Sequence, residues 1–183
     1  MKRVLLPLLL VPGTAFAHTG HAGDHPFLSG LTHPALGADH LLAMVAVGLW
    51  AAVIGGRAMW ALPAAFVSAM LLGGLLGSAG APLPGVEPMI LASVVALGVL
   101  TALALRPGLA AAMGFVALFG LFHGHAHGVE GPASGLGSYA VGFVLTTMGL
   151  HMAGVALGRL AQGALPRVIG GLTAVAGFAL AMM

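Results

Sequence analysis

The stretch HPALGADHLLAMVAVGLWAAVIGGR, residues 33–57, decides the fold. From Leu41 to Ile54 it carries no charge, and it ends on Gly-Gly-Arg. A helix rises 1.5 Å per residue, so a run of about 20 apolar residues matches the hydrocarbon core of a bilayer. This is a transmembrane span, read here as residues 33–55. Its unusual end is the first one, where His33, Asp39 and His40 stand. Asp39 lies six residues inside the segment, or about 9 Å along a helix. A charged side chain in a membrane helix costs roughly 2.5–3.5 kcal/mol on insertion scales, so it persists where it is paired, hydrated or coordinating.

The rest of the chain has the same character. Six Lys/Arg and four Asp/Glu occur among 183 residues, and 60% of residues are hydrophobic. A soluble domain carries about a quarter charged residues. Thirty glycines suit closely packed membrane helices, where small residues let backbones approach. The absence of cysteine excludes disulfides and thiolate metal sites, leaving N and O donors, with Met as a soft option. A net charge of +2 without any basic patch gives no surface for nucleic acid.

Residues 1–17, MKRVLLPLLLVPGTAFA, read as a cleavable signal peptide. Lys2 and Arg3 precede a short apolar core from Val4 to Val11, and Ala15-Phe16-Ala17 forms the cleavage site. An uncleaved anchor is the alternative. Residues 18–32 follow as a histidine-bearing periplasmic segment, and 33–183 form a single membrane domain. Its spans are expected at 33–55, 58–80, 88–105, 109–129, 136–158 and 165–183. The predicted fold class is therefore all-α, a polytopic bundle of six transmembrane helices. Five spans with a peripheral last segment is the weaker alternative.

Charge placement orients the bundle. With the mature N-terminus outside, Arg57, Arg106, Arg159 and Arg167 all fall in cytoplasmic connections, whereas Glu87 and Glu130 fall outside. That is the positive-inside pattern. It predicts a bacterial inner-membrane protein with both termini in the periplasm.

Ionisable groups then collect at one depth. In LFHGHAHGVE, residues 121–130, His123, His127 and Glu130 follow the i, i+4, i+7 spacing of one helical stripe, while His125 points to the other side. His33 and His40 are seven apart and share a face if one helix runs through both, although Pro34 favours a helix that starts only after His33. The alternating topology puts the outer end of the first span beside the outer end of the fourth. His33, Asp39, His40, His123, His127 and Glu130 are thus the candidate metal ligands, a set of imidazoles and carboxylates suited to Ni, Co or Zn. Met44, His125, Met148 and His151, the last also flanked by Met152, are candidates for a route inward. His18, His21, Asp24 and His25 form either an external metal-collecting arm or a solvated tail.

These motifs, His33-x5-Asp39-His40 and Phe122-His123-Gly124-x-Ala126-His127-Gly128-x-Glu130, resemble those of the HupE/UreJ family of membrane proteins. The resemblance spans essentially the whole mature chain. It implies a nickel permease serving hydrogenase or urease maturation, with some cobalt-linked relatives, and it implies that the six motif residues matter for transport. The expected substrate is accordingly Ni²⁺, or Co²⁺, as cargo with no permanently bound cofactor. No GxxxxGK[ST] loop is present, so ATP is not the direct energy source. The expected partners are the metal ion and the lipid bilayer, and a homo-oligomer is compatible with the sequence. Catalysis is not expected. The rival readings are a zinc-dependent intramembrane hydrolase using His40, His123 and His127 with Glu130 as base, and a bis-histidine haem carrier.

Overall fold

The structure, a computed structural model, describes residues 25–161 and 163–183. The expected signal peptide and His18, His21 and Asp24 lie outside the described residues. Seven helices and no strand occur among the described residues: α1 (Pro26–Leu36), α2 (Ala38–Ile54), α3 (Ala58–Ser78), α4 (Val86–Ala102), α5 (Leu109–Glu130), α6 (Leu136–Leu160) and α7 (Leu165–Ala181). The all-helical expectation holds. Helices α3 to α7 match the last five expected spans to within three residues at each end.

The first expected span is different. Helix already begins at Pro26, inside the segment assigned to the periplasmic arm, and it stops at Leu36. Pro26 occupies the first helical turn, where its missing N–H costs nothing. Pro34 is therefore in the last turn of α1 rather than the first turn of the next helix, and His33 is helical beside it. Gly37 then takes an extended backbone (φ −85°, ψ 122°), which interrupts the i→i−4 ladder. Helix restarts with the Leu41 N–H donating to the Gly37 carbonyl at 2.9 Å. The two axes differ by 81°. No single helical face carries both His33 and His40.

By length and composition, α3, α5 and α6 can each cross a membrane, and the bent α1–α2 pair makes a fourth candidate. Helices α4 and α7 are apolar but shorter, at 17 residues each. The outward faces are apolar too: Leu72, Leu75, Val141, Leu145, Leu172, Val175 and Phe178 are all exposed. In water such a surface has nothing to recommend it, whereas in lipid it is the expected exterior.

Backbone contact through small residues sets the packing. Helices α3 and α5 run parallel, with Phe66 against Gly120, Met70 against Gly124 and Gly74 against Gly128. Helix α6 runs parallel to α2, with Gly154 against Val45 and Gly158 against Ala52, while its first turns hold α1 through Gly30 and Gly142. Helix α7 runs antiparallel to α4, with Gly170 beside Ala102, Gly98 beside Ala174 and Gly177 beside Val94. The arginines gather at one end. Trp50, near the end of α2, donates its indole N–H to the Leu105 carbonyl beside Arg106, and Arg167 donates Nε–H to the Ala102 carbonyl. His33, Asp39 and Glu130 lie at the opposite end.

The α3–α5 seam is the tightest constraint on α5, because a Cβ on Gly124 would overlap the Met70 carbonyl, which is backbone and cannot swing away. Gly114, on the same helix, faces open space. Gly124→Ala should therefore destabilise the folded protein by about 1–3 kcal/mol, while Gly114→Ala should be neutral or slightly stabilising. Equilibrium unfolding in detergent micelles, following helicity, measures both; equal stability of the two variants would contradict the seam.

Candidate metal site

The sequence FHGHAHGVE divides its labour by helical spacing. Gly120, Gly124 and Gly128 recur every four residues and face α3. That contact fixes the rotation of α5, and it turns His123 and His127, one position before each of the last two glycines, toward α2. His125 points elsewhere, as its spacing predicts. Its Nε2–H donates to the Ala81 carbonyl at 2.7 Å, so it is buried and tied to the loop after α3.

Three buried or half-buried imidazoles meet between α2 and α5. The ring centroids of His40 and His127 are 4.4 Å apart, and those of His40 and His123 are 4.8 Å apart. One donor atom from each of His40, His123 and His127 falls within 4.8 Å of the others, a grouping that could hold a metal ion. A second grouping with the same property joins His33, His127 and Glu130. His33 Nε2–H donates to Glu130 Oε2 at 3.1 Å, and His127 Nδ1 lies 3.9 Å from that same oxygen. His127 belongs to both. Burial rises steadily across the pair of groups: side chains are 53% exposed at Glu130, 33% at His33, 13% at His40 and 5% at His127. His123 is sealed.

Hydrogen bonds decide which lone pairs are free. Asp39 Oδ1 accepts from the His40 backbone N–H at 2.8 Å and from His40 Nδ1–H at 2.9 Å. A carboxylate can only accept, so the His40 proton sits on Nδ1 and the Nε2 lone pair is left for a ligand. His40 Nε2 is buried without a protein partner, and so are His123 Nδ1 and both nitrogens of His127. Asp39 thus stands behind His40, orienting it, and is not among the converging donors. It also sits in the first turn of α2, where a carboxylate offsets the positive end of the helix dipole. The opposite dipole sense comes from α1 and α5, whose C-terminal turns carry His33, His127 and Glu130. Helix C-termini favour cations.

The surround is apolar. Phe143 packs on His127 with ring centroids 4.1 Å apart, and Tyr139 lies 6.0 Å from His33. A cleft between α3, α5 and α6 reaches His127 past Met70, Leu75, Gly128, Tyr139 and Phe143. On the inner side, Phe66 stands between His123 at 5.4 Å and His151 at 5.1 Å. His151 is fully buried, and neither of its nitrogens has a protein partner. Met44 is sealed in the apolar core, with Met148 and Met152 packed against it. His25 caps the start of α1 only through its backbone, apart from the histidine groups.

Two contributors carry no signal in the sequence. Ser93 of α4 lies 3.0 Å from His123 Nε2. Gly37 provides room: a Cβ there would stand 2.9 Å from Asp39 Oδ1 and 3.2 Å from His40 Nδ1.

A family model described as HupE / UreJ protein matches residues 6–180 of the chain. The protein is similar to Protein HupE of Rhizobium leguminosarum bv. viciae, at 44% identity over 180 residues, covering 96% of this chain and 94% of that one. No solved structure matches.

Since the Gly37 backbone is ordinary and only its missing side chain matters, Gly37→Ala should leave the helices intact and push the Asp39–His40 pair out of register. Outer-shell partners of metal-binding histidines are worth about 10–100-fold in affinity. Titration of detergent-purified protein with Co²⁺, read by its visible absorption, should show weakening of that order with unchanged circular dichroism. Undiminished binding would mean that the pair does not orient a ligand.

Proposed function

This chain belongs to the HupE/UreJ family, and on that premise we propose that it is a permease carrying a divalent transition metal, Ni²⁺ first and Co²⁺ second, from periplasm to cytoplasm without ATP. The cargo would serve maturation of hydrogenase or urease. The observation that carries the reading is the pair of donor groups sharing His127, one half exposed and one half sealed. A resident ion needs one set of ligands, whereas an ion in transit needs successive sets with a common member. His40, His123 and His127 alone would equally suit a hydrolytic zinc; the outer set, graded toward the surface, is what favours passage.

The path follows from burial. An ion loses part of its water shell at Glu130 and His33, where the carboxylate offsets its charge. His127 then presents it to His40 and His123, with Asp39 supplying the nearby negative charge that a low-dielectric site demands. Beyond His123 the next unpartnered imidazole is His151, behind the Phe66 ring. A divalent ion gains about 4.6 kcal/mol per 100 mV of membrane potential, twice the value for one charge, so facilitated entry needs no other driving force. Proton exchange through the histidines is the alternative coupling.

Six crossings, with α1 and α2 as one broken span and both termini periplasmic, fit this role in the bacterial inner membrane. Support comes from the helix directions, since α3 parallel to α5, α2 parallel to α6 and α4 antiparallel to α7 are what alternate crossings require. The arginines at the end opposite the histidines agree with the positive-inside rule. Broken helices near ion sites are a recurring device of secondary transporters.

Accumulation of ⁶³Ni by cells at low external nickel tests the proposal. His127→Ala, His40→Ala and Asp39→Ala should each reduce uptake by about tenfold or more at equal protein in the membrane, with His127→Ala the most severe because it removes a donor from both groups. Unchanged uptake in all three would sink the reading. Chelator-sensitive hydrolysis of a lipid or peptide by the purified protein would replace it with the zinc hydrolase.

A further inference from the structure

Helix α4 contributes a polar side chain to a site otherwise built by α1, α2 and α5. Ser93 sits in the apolar run ILASVVALG and is fully buried, as is His123. Its hydroxyl donates to the Ile90 carbonyl of its own helix at 2.5 Å, and its oxygen lies 3.0 Å from His123 Nε2. Serine has one proton to give. With that proton committed to a carbonyl, which can only accept, the oxygen can only accept from His123.

We propose that Ser93 is a positioning residue of the metal site, holding His123 in the tautomer with its proton on Nε2 and its Nδ1 lone pair turned toward His40 and His127. The arrangement mirrors the opposite wall, where Asp39 takes the Nδ1 proton of His40 and leaves Nε2 free. The two imidazoles are thereby fixed by outer partners of different strength. A carboxylate raises the basicity of its histidine and adds charge, whereas a neutral hydroxyl only orients. One anionic and one neutral partner keep the inner group from accumulating negative charge, so an ion there is bound without being trapped.

The metal-site role rests on the proposed function, but the tautomer does not, and the two can be tested apart. In metal-free protein labelled with ¹⁵N-histidine, the His123 signals, assigned by difference from His123→Gln, should report a protonated Nε2 and a bare Nδ1. Ser93→Ala should turn that pattern into a mixture of tautomers and weaken Co²⁺ or Ni²⁺ binding about 10–100-fold. Thr101→Val removes another buried hydroxyl of α4, one that bonds to the Leu97 carbonyl of its own helix, and should change neither reading. A wild-type His123 protonated on Nδ1, or a Ser93→Ala protein with wild-type tautomer and affinity, overturns the inference. A wild-type protein with the Nε2–H form but no affinity for divalent ions would leave the Ser93 contact standing and overturn the cargo reading instead.

Discussion

Burying an imidazole nitrogen away from water costs free energy unless something bonds to it, and among the described residues six such nitrogens are buried without a protein partner, on His40, His123, His127 and His151. Each unmade hydrogen bond in a buried site costs about 1–3 kcal/mol, in a fold whose total stability is commonly 5–15 kcal/mol. Chance packing does not accumulate such debts in one place. The neighbouring groups, meanwhile, are fully committed: Asp39 to His40, Ser93 to His123 and Ile90, His125 to Ala81. A neutral imidazole has a single lone pair; His40, His123 and His127 each bring a donor atom to within 4.8 Å of the others, while His151 stands apart behind Phe66. Lone pairs cannot satisfy each other, but they can all face a cation.

The glycine seams are the mechanical counterpart of that chemistry. In lipid there is no hydrophobic drive between helices, and close backbone approach supplies the packing instead. On α5, Gly124 and Gly128 are locked against Met70 and Gly74 of α3, so the backbone sets the direction in which the adjacent His123 and His127 leave the helix. On α6, Gly142 and Gly154 hold α1 and α2 at opposite ends of one helix, and the gap between those two holds is where the chain bends by 81° at Gly37. The bend brings the last turn of α1 and the first turn of α2 to the same place, which puts His33 on the outer group and His40 on the inner one.

Much of this was legible in the sequence because it depends on local periods. The spacing of His123, His127 and Glu130 against His125 separates the residues that face the other histidines from the one that bonds to a loop carbonyl. Counting spans and arginines placed His33 and Glu130 at one depth although 97 residues separate them, and they are hydrogen-bonded. The break at Gly37 was not legible, because the one visible breaker, Pro34, points to the wrong residue: Pro34 lies within α1, and Gly37 with an extended backbone makes the actual stop. Asp39 reads as a ligand by type, and only the structure reveals its hydrogen bonds to the His40 amide and ring. Ser93 has no local signature at all, being a single hydroxyl in an apolar helix that meets His123 across 30 residues.

Under the proposed function, the same geometry would let a cation approach the helix break without the break repelling it. The exposed N–H groups at the start of α2 carry positive potential that would oppose a divalent ion. Asp39 cancels it twice over, by accepting the His40 amide and by adding a full negative charge within the first turn. The C-terminal turns of α1 and α5 contribute the opposite sign from the other side. Of the three helix ends that meet there, the two C-termini carry His33 and His127, and the N-terminus carries Asp39. The residue types in His33-x5-Asp39-His40 are thus dictated by which end of which helix each one occupies: an imidazole where a helix finishes, an acid where the next begins, and an imidazole one step later whose free nitrogen the acid has set.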